Sequence, residues 1–131
     1  MKYLLTIYND ESQYANATPE QIGKIFEAHG RFGQAATEAG VLRGGEGLQP
    51  TATATTVRVR DGETMLTDGP FAETREQLAG FYLLECADLD EAVRWASKVP
   101  SAAMGSVEVR PVITYEDRVS RAQAGGAAAH A

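Results

Sequence analysis

The sequence has few of the features that mark secreted, membrane-spanning or nucleic-acid-binding proteins. It contains one cysteine, Cys86, so no disulfide can form within the chain, and its start lacks a signal-peptide pattern. The longest apolar runs, such as FYLL, are far too short to span a bilayer. With 12 basic against 18 acidic side chains the net charge is −6, whereas phosphate binding usually needs a basic surface. We therefore expect a cytoplasmic protein that binds neither membranes nor nucleic acids, with Cys86 as a core or strand-end thiol.

The common cofactor and hydrolase motifs are also missing. The chain contains no G-x-x-x-x-G-K-S/T, no G-x-G-x-x-G and no G-x-S-x-G pattern. One of its 2 histidines, His130, falls in an Ala/Gly-rich end, so no His/Cys cluster has metal-ligand spacing. We expect neither a metal nor a bound cofactor.

The strand patterns that remain fit a single domain of 131 residues. KYLLTIY, QLAGFYLLEC and SVEVRPVIT read as strands, and VLRGGEGLQP reads as an irregular, glycine-broken strand. TATTVRVR and ETMLT flank Asp61-Gly62, which predicts a hairpin because glycine accepts the positive φ that such turns need.

Two capping-box patterns predict two helices. T-P-E-Q from Thr18 starts a helix from about Pro19 to Ala39, and D-L-D-E from Asp88 starts another that ends before Pro100. On the first helix an apolar stripe recurs at helical spacing: Ile22, Ile25, Phe26, His29, Phe32 and Ala36.

The predicted order β-α-β-β-β-α-β favours an α+β, ferredoxin-like sandwich with two helices on one face of the sheet. Alternation in FYLLE places Phe81 and Leu83 on one face, and Tyr82 and Leu84 on the other. Sheets that are apolar on both faces are normally covered on both. No third helix is predicted, so we expect a second copy to cover the free face in a homodimer.

His29 and Asp68 are the first candidates for chemistry. His29 is either a core histidine or a general acid/base facing a pocket, since imidazole titrates near neutral pH. Asp68 either ends a strand before Gly69-Pro70 or pairs with His29 and orients its ring. The sequence leaves both alternatives open.

The segment after Asp68 carries a second set of candidates. Glu73, Arg75 and Glu76 form either a solvated loop or the rim of a site. In the latter case Arg75 would hold a substrate carboxylate and Glu73 would be a substrate-binding residue or a second base. The glycine-rich stretch RGGEGLQP offers a further hint, because it can bring backbone close to a pocket.

The stretch LTDGPFAETREQLAGFYLLE resembles the signature of the DGPF branch of YCII-related proteins. The likeness extends to MKYLLTIYND, GVLRGGEGLQPTATATTVRVRDG and GSVEVRPV, so it covers roughly residues 1–115. The resemblance implies a ferredoxin-like α/β barrel that dimerises through its sheet. We take residues 1–115 as the domain and residues 116–131, which end in AQAGGAAAHA, as a flexible tail.

The same resemblance implies a function. The wider family is similar to dimeric α/β-barrel enzymes of muconolactone-isomerase type, with a His/Asp pair as the site. HGRFGQAATEAG matches the H-x₁₀-G pattern of the family, which gives His29 the histidine position and Asp68 the aspartate position. Some members are associated with alternative sigma factors. Three hypotheses follow: an acid/base isomerase or lyase acting on an unknown small molecule, a non-enzymatic ligand-sensing or regulatory module with a sigma-factor partner, and a purely structural dimer.

Overall fold

The computed structural model describes residues 1–125, which form two antiparallel sheets and three helices. The strands are β1 (Lys2–Asn9), β2 (Leu42–Gly47), β3 (Thr55–Arg60), β4 (Glu63–Asp68), β5 (Gln77–Glu85) and β6 (Ser106–Pro111). The helices are α1 (Pro19–Glu38), α2 (Leu89–Ala96) and α3 (Tyr115–Gly125). Short 3₁₀ turns lie at Glu11–Gln13, Thr51–Thr53 and Pro100–Ala103. No helix among the described residues is long and apolar enough to cross a membrane.

The main sheet has the strand order β2-β5-β1-β6, and all its neighbours are antiparallel. With α1 and α2 on one face, this arrangement is consistent with the predicted ferredoxin-like α+β fold. Four strands lie between α1 and α2, whereas the predicted order had three. The difference arises because the glycine-broken segment forms β2 of the main sheet, while β3 and β4 form a separate sheet.

β3 and β4 form a hairpin arm that projects from the main sheet. Asp61 and Gly62 both have positive φ, 52° and 78°, which confirms the predicted turn. Val57 and Leu66 face each other across the arm and are 59% and 67% exposed. A two-stranded hairpin is marginally stable by itself, so this apolar surface has no partner within the described part of the chain.

Both predicted helix starts are confirmed. The side chain of Thr18 accepts a hydrogen bond from the backbone N–H of Gln21, and the Gln21 side chain accepts one from the backbone of Thr18. At α2 the carboxylate of Asp88 accepts from the N–H of Glu91. The Glu91 side chain accepts from Ala87, one residue earlier than in a standard capping box.

The hydrophobic core lies between the main sheet and the two helices, and it confirms the predicted division of β5 into two faces. Leu5 and Leu84 are fully buried on the helix-covered side. The core consists of Tyr3, Leu5, Ile7, Phe32, Ala36, Val41, Leu84, Cys86, Ala92, Ala96 and Val99. Cys86 is buried directly after β5, as predicted for a core thiol, and burial raises its pKa.

The other side of the main sheet, called the open face below, is not covered by α1 or α2. Residues directly opposite each other in an antiparallel pair share a face, so Leu4 lies beside Leu83 and Thr6 beside Phe81. Tyr8 continues the row, and all five residues are only partly buried. The open face is therefore apolar at its centre and only partly buried within the described part of the chain.

The apolar stripe of α1 is buried along only half of its length. Phe32 and Ala36 in the C-terminal half belong to the core. In the N-terminal half Ile22 is 41% exposed and Phe26 is 74% exposed. The helix therefore contacts the sheet closely at one end and leaves a gap at the other.

The chain after β6 differs from the sequence expectation. The polar segment, to which no element was assigned, forms α3. Thr114 and Asp117 start this helix with a reciprocal pair of hydrogen bonds, 3.1 Å and 3.0 Å long, between side chain and backbone. The pattern T-Y-E-D is itself a capping box, and this signal was overlooked in the sequence. Residues 126–131, including His130, lie outside the described residues, so the predicted flexibility of the tail stays a prediction.

Candidate functional site

A cleft of about 490 Å³ occupies the gap between the N-terminal half of α1 and the main sheet. We call it the His29 cleft. Its volume lies within the range of small-molecule sites. Apolar side chains from α1 and β1 line it, including Ile25, Phe26 and Ile7, and its polar side chains include Asn9.

Glycines shape the wall of the His29 cleft that belongs to the sheet. A Cβ on Gly45 would lie 2.7 Å from Cδ1 of Tyr82, and a Cβ on Gly80 would lie 2.6 Å from the carbonyl oxygen of Glu46. Glycine is required at both positions for β2 and β5 to approach this closely. A β-bulge falls at the same place, because Ala79 has no partner in β1. The expectation that RGGEG brings backbone close to a pocket is confirmed.

His29 lies in the wall of the cleft, where both nitrogens of its ring contact hydroxyl groups. Nδ1 is 2.8 Å from the hydroxyl oxygen of Tyr82, and Nε2 is 3.3 Å from Oγ of Ser101. Phe32 packs against the Tyr82 ring with 4.7 Å between centroids, which holds the phenol in place. His29 is half-buried and lines the cleft, so it is not sealed in the core.

Partial burial keeps both aromatic partners neutral. Desolvation lowers the pKa of His29 below its ordinary value of 6.5 and raises the pKa of Tyr82 above its ordinary value of 10.0. At neutral pH the imidazole is therefore uncharged and able to accept a proton, and the phenol retains its proton. A neutral base beside a neutral hydroxyl is a suitable arrangement for proton transfer.

The structure does not bring His29 and Asp68 together within one chain. Asp68 is the last residue of β4, and Gly69 follows with φ of 96°, which confirms the predicted strand end. Asp68 is exposed on the arm, and no hydrogen bond joins it to His29 in the described structure. The ring nitrogens have Tyr82 and Ser101 as partners instead, and a catalytic role for Asp68 stays a prediction.

Glu73 and Arg75 lie in the exposed loop between β4 and β5, outside the lining of the His29 cleft. Hydrogen bonds from Ser12 and, to a smaller extent, the charge of Arg75 lower the pKa of Asp10. This places Arg75 within electrostatic reach of Asp10. A role for Glu73 or Arg75 in substrate binding stays a prediction, and it would have to be exerted from outside this cleft.

A second cleft of about 580 Å³ lies beside the TDGPF loop and the open face. Pro70 and Phe71 line it on one side, and Tyr8 and Leu78 from the sheet line it on the other. Its lining contains no histidine and no charged side chain. The most distinctive motif of the sequence therefore lies at an apolar surface, away from His29 and its hydroxyl partners.

Tyr82 and Ser101 are the site residues that sequence reasoning missed. They lie 53 and 72 positions after His29, so no local spacing connects the three. Alternation along β5 does predict that Tyr82 faces the helices, which was the available signal. No sequence pattern indicated that Ser101 would contact His29, because its position depends on how the 3₁₀ turn after α2 packs. Among the described residues, no group of three or more His, Cys, Asp or Glu side chains could hold a metal ion.

Fold and site together define an α+β domain with a histidine in the wall of a cleft. The chain belongs to the YCII-related domain family, which matches residues 1–116. An uncharacterized protein of Rhizobium meliloti (strain 1021) is 42% identical over 118 residues, which cover 88% of this chain and 95% of that protein. The resemblance to YCII-related proteins is confirmed, and membership of the DGPF branch stays a prediction.

Proposed function

We propose that the protein is a small-molecule enzyme of isomerase or lyase type in which neutral His29 is the general base. The observation that carries the proposal is the placement of His29 in a cleft with a hydroxyl group at each ring nitrogen. With the ring proton on Nδ1, the lone pair is on Nε2, whose contact with Ser101 is the longer of the two at 3.3 Å. When the substrate takes the place of the Ser101 hydroxyl at Nε2, the ring removes a proton from a carbon next to a carbonyl group of the substrate and becomes a cation with a proton on each nitrogen. In an isomerase the same ring returns the proton at another position.

The two hydroxyl partners suit this reaction because a hydroxyl both donates and accepts hydrogen bonds. With the proton on Nε2, the ring donates to Ser101 and accepts from Tyr82. With the proton on Nδ1, the ring donates to Tyr82 and accepts from Ser101. A carboxylate partner would favour one tautomer and the charged ring. Tyr82 and Ser101 therefore act as positioning residues that support both tautomers of His29.

The assembly that we propose is a homodimer in which the open face meets a second copy. The face carries Leu4, Phe81 and Leu83 without a covering helix, and the arm presents Val57 and Leu66 to solvent. Fully burying one such side chain stabilises an interface by about 1.5–3 kcal/mol. Several of them together can outweigh the entropy cost of association.

The test measures proton abstraction directly and does not need the natural substrate. Acetophenone in D₂O is incubated with the protein near pH 7.5, and loss of its methyl signal is followed by NMR. We expect exchange above the buffer rate, reduced by about 10²–10⁴ in His29→Gln. Tyr82→Phe keeps the ring packed on Phe32 and removes one hydrogen bond, so we expect a smaller loss.

The alternative is a ligand-sensing module without catalysis, and the same experiment separates the two. Binding of acetophenone in the His29 cleft without exchange, in wild type and His29→Gln alike, would contradict the enzyme. Binding is observed from chemical-shift changes of the Tyr82 ring in both proteins and of the His29 ring in wild type. An association with a sigma factor stays a prediction, and a pull-down with an alternative sigma factor tests it independently.

A further inference from the structure

We propose that the His29 cleft selects a planar, uncharged ring compound that carries one carbonyl or hydroxyl group. The proposal rests on the acid/base function proposed above and adds the class of its substrate. Two independent observations carry it: the charges in the lining of the cleft and the shape of its walls.

The lining of the His29 cleft contains no lysine and no arginine. The one charged residue in the lining is Glu46, which pairs with Phe81 and therefore shares the open face, so its side chain lies on the other side of the sheet from His29. His29 is uncharged at neutral pH. A carboxylate or phosphate entering the cleft would lose hydration without gaining a cationic partner. The net charge of −6 of the chain also disfavours the binding of an anion. A substrate anion held by Arg75 does not fit, since Arg75 is not part of the lining.

The lining of the cleft includes glycines from both the helix and the sheet. Gly30 lines it from α1, and Gly47 lines it from β2. A Cβ at either position would have no protein atom within 4 Å, so each glycine borders open space. The absence of side chains at these two positions leaves room in the lining for a ring to lie between α1 and β2, and we expect a planar ring to fit there better than a puckered one. Phe26, which is exposed at the edge of the cleft, provides an aromatic surface for the ring.

Three probes that differ in one property each test the proposal. Acetophenone is planar and neutral, benzoate is planar and anionic, and cyclohexyl methyl ketone is neutral and puckered. Dissociation constants are measured from chemical-shift changes of the His29 and Tyr82 rings. We expect acetophenone to bind, and benzoate and the puckered ketone to bind at least about tenfold more weakly.

Gly30→Ala and Gly33→Ala are the matched variants for the shape argument. Both glycines lie in α1, and an added methyl group would meet no protein atom within 4 Å at either position. Both substitutions raise helix propensity equally, but only Gly30 lines the cleft. We expect Gly30→Ala to weaken acetophenone binding several-fold and Gly33→Ala to leave it unchanged.

The outcomes separate the substrate class from the proposed function. Benzoate or the puckered ketone binding as tightly as acetophenone, or no probe shifting the cleft resonances, would overturn the substrate class. Equal effects of Gly30→Ala and Gly33→Ala on acetophenone binding would contradict the inference that the ring lies beside Gly30. The expected order of affinities without exchange of the acetophenone methyl protons would support the substrate class and refute the proposed catalysis.

Discussion

The two faces of the main sheet are built from the same strands and are both apolar, yet they differ in what lies against them. On the helix-covered face, Leu5 and Leu84 are fully buried, and the cleft opens where α1 diverges from the sheet. On the open face, Leu4 and Leu83 occupy neighbouring positions and remain partly exposed. Adjacent residues of one strand therefore belong to the core and to a partly exposed apolar surface, and His29 with its hydroxyl partners lies on the helix-covered face.

The largest expected effect comes from placing a charge on the helix-covered face. Leu84→Lys removes a fully buried side chain, a change that costs about 2–5 kcal/mol for truncation alone, and it buries an unpaired charge as well. We expect no folded protein by circular dichroism. Leu83→Lys, one residue earlier, is the control and is expected to fold. Equal folding of both variants would contradict the assignment of the two faces.

On the open face, a charge should separate subunits and leave the fold intact. Phe81→Lys introduces an ammonium group at the centre of the proposed interface. We expect the dimer dissociation constant to rise at least about 100-fold in analytical ultracentrifugation, with an unchanged circular dichroism spectrum. Wild-type protein that stays monomeric at high concentration would refute the dimer.

The pH dependence of catalysis tests the proposed role of His29 on the helix-covered face. The depressed pKa of His29 means that its neutral form persists to pH values below 6.5. Activity should be constant above this value and fall about tenfold per pH unit below the pKa of His29. Besides His29, the lining residues with polar side chains are Asn9, Glu46, Tyr82 and Ser101. Activity that first appears above pH 8 would contradict a neutral His29 base.

The same depressed pKa predicts a contribution to folding stability, with a definite sign. The unfolded chain binds a proton at His29 more readily than the folded chain, so this contribution is present above 6.5 and lost as pH falls through the folded pKa. Urea unfolding of wild type and His29→Gln at several pH values measures it. The difference between the two proteins should depend on pH only below about pH 6.5.

The arm should matter for association and little for folding. Val57 and Leu66 form a cross-strand pair on one face of the arm, and Met65 belongs to the other face. We expect Val57→Lys combined with Leu66→Lys to weaken dimerisation by about 10- to 100-fold. Met65→Lys is the matched control, since Met65 is 51% exposed. Equal effects of the double substitution and of Met65→Lys would show that the face of the arm with Val57 and Leu66 does not contact the second copy.

The smallest effect is expected from truncation at the C-terminus. Removing the chain from Ala122 onward shortens α3, whose residues 120–124 are exposed. We expect a change in the free energy of unfolding of less than about 0.5 kcal/mol. Thermal unfolding of the truncated protein checks this. A large loss of stability would show that the end of the chain docks, including across a dimer.

Most of the fold could be predicted because its signals are local. Thr18 with Gln21, and Asp61 with Gly62, fix a helix start and a hairpin turn through contacts within a few residues. The separation of the arm from the main sheet could not be predicted, because it depends on β2 pairing with β5 through Gly80. The start of α3 was predictable from Thr114 and was overlooked.

The sequence by itself determined the secondary structure, the family and the two-sided character of β5, because periodicity and capping act over short distances. Only the tertiary structure decided the partners of His29. Tyr82 and Ser101 come from distant parts of the chain, and their meeting depends on the packing of α1 and of the turn after α2 against the sheet. Asp68, which the sequence suggested as the partner of His29, lies at the end of β4 on the arm. The orientation of the arm relative to the main sheet does not follow from local sequence signals. Side-chain partners of this kind follow from how elements pack, which sequence spacing does not encode.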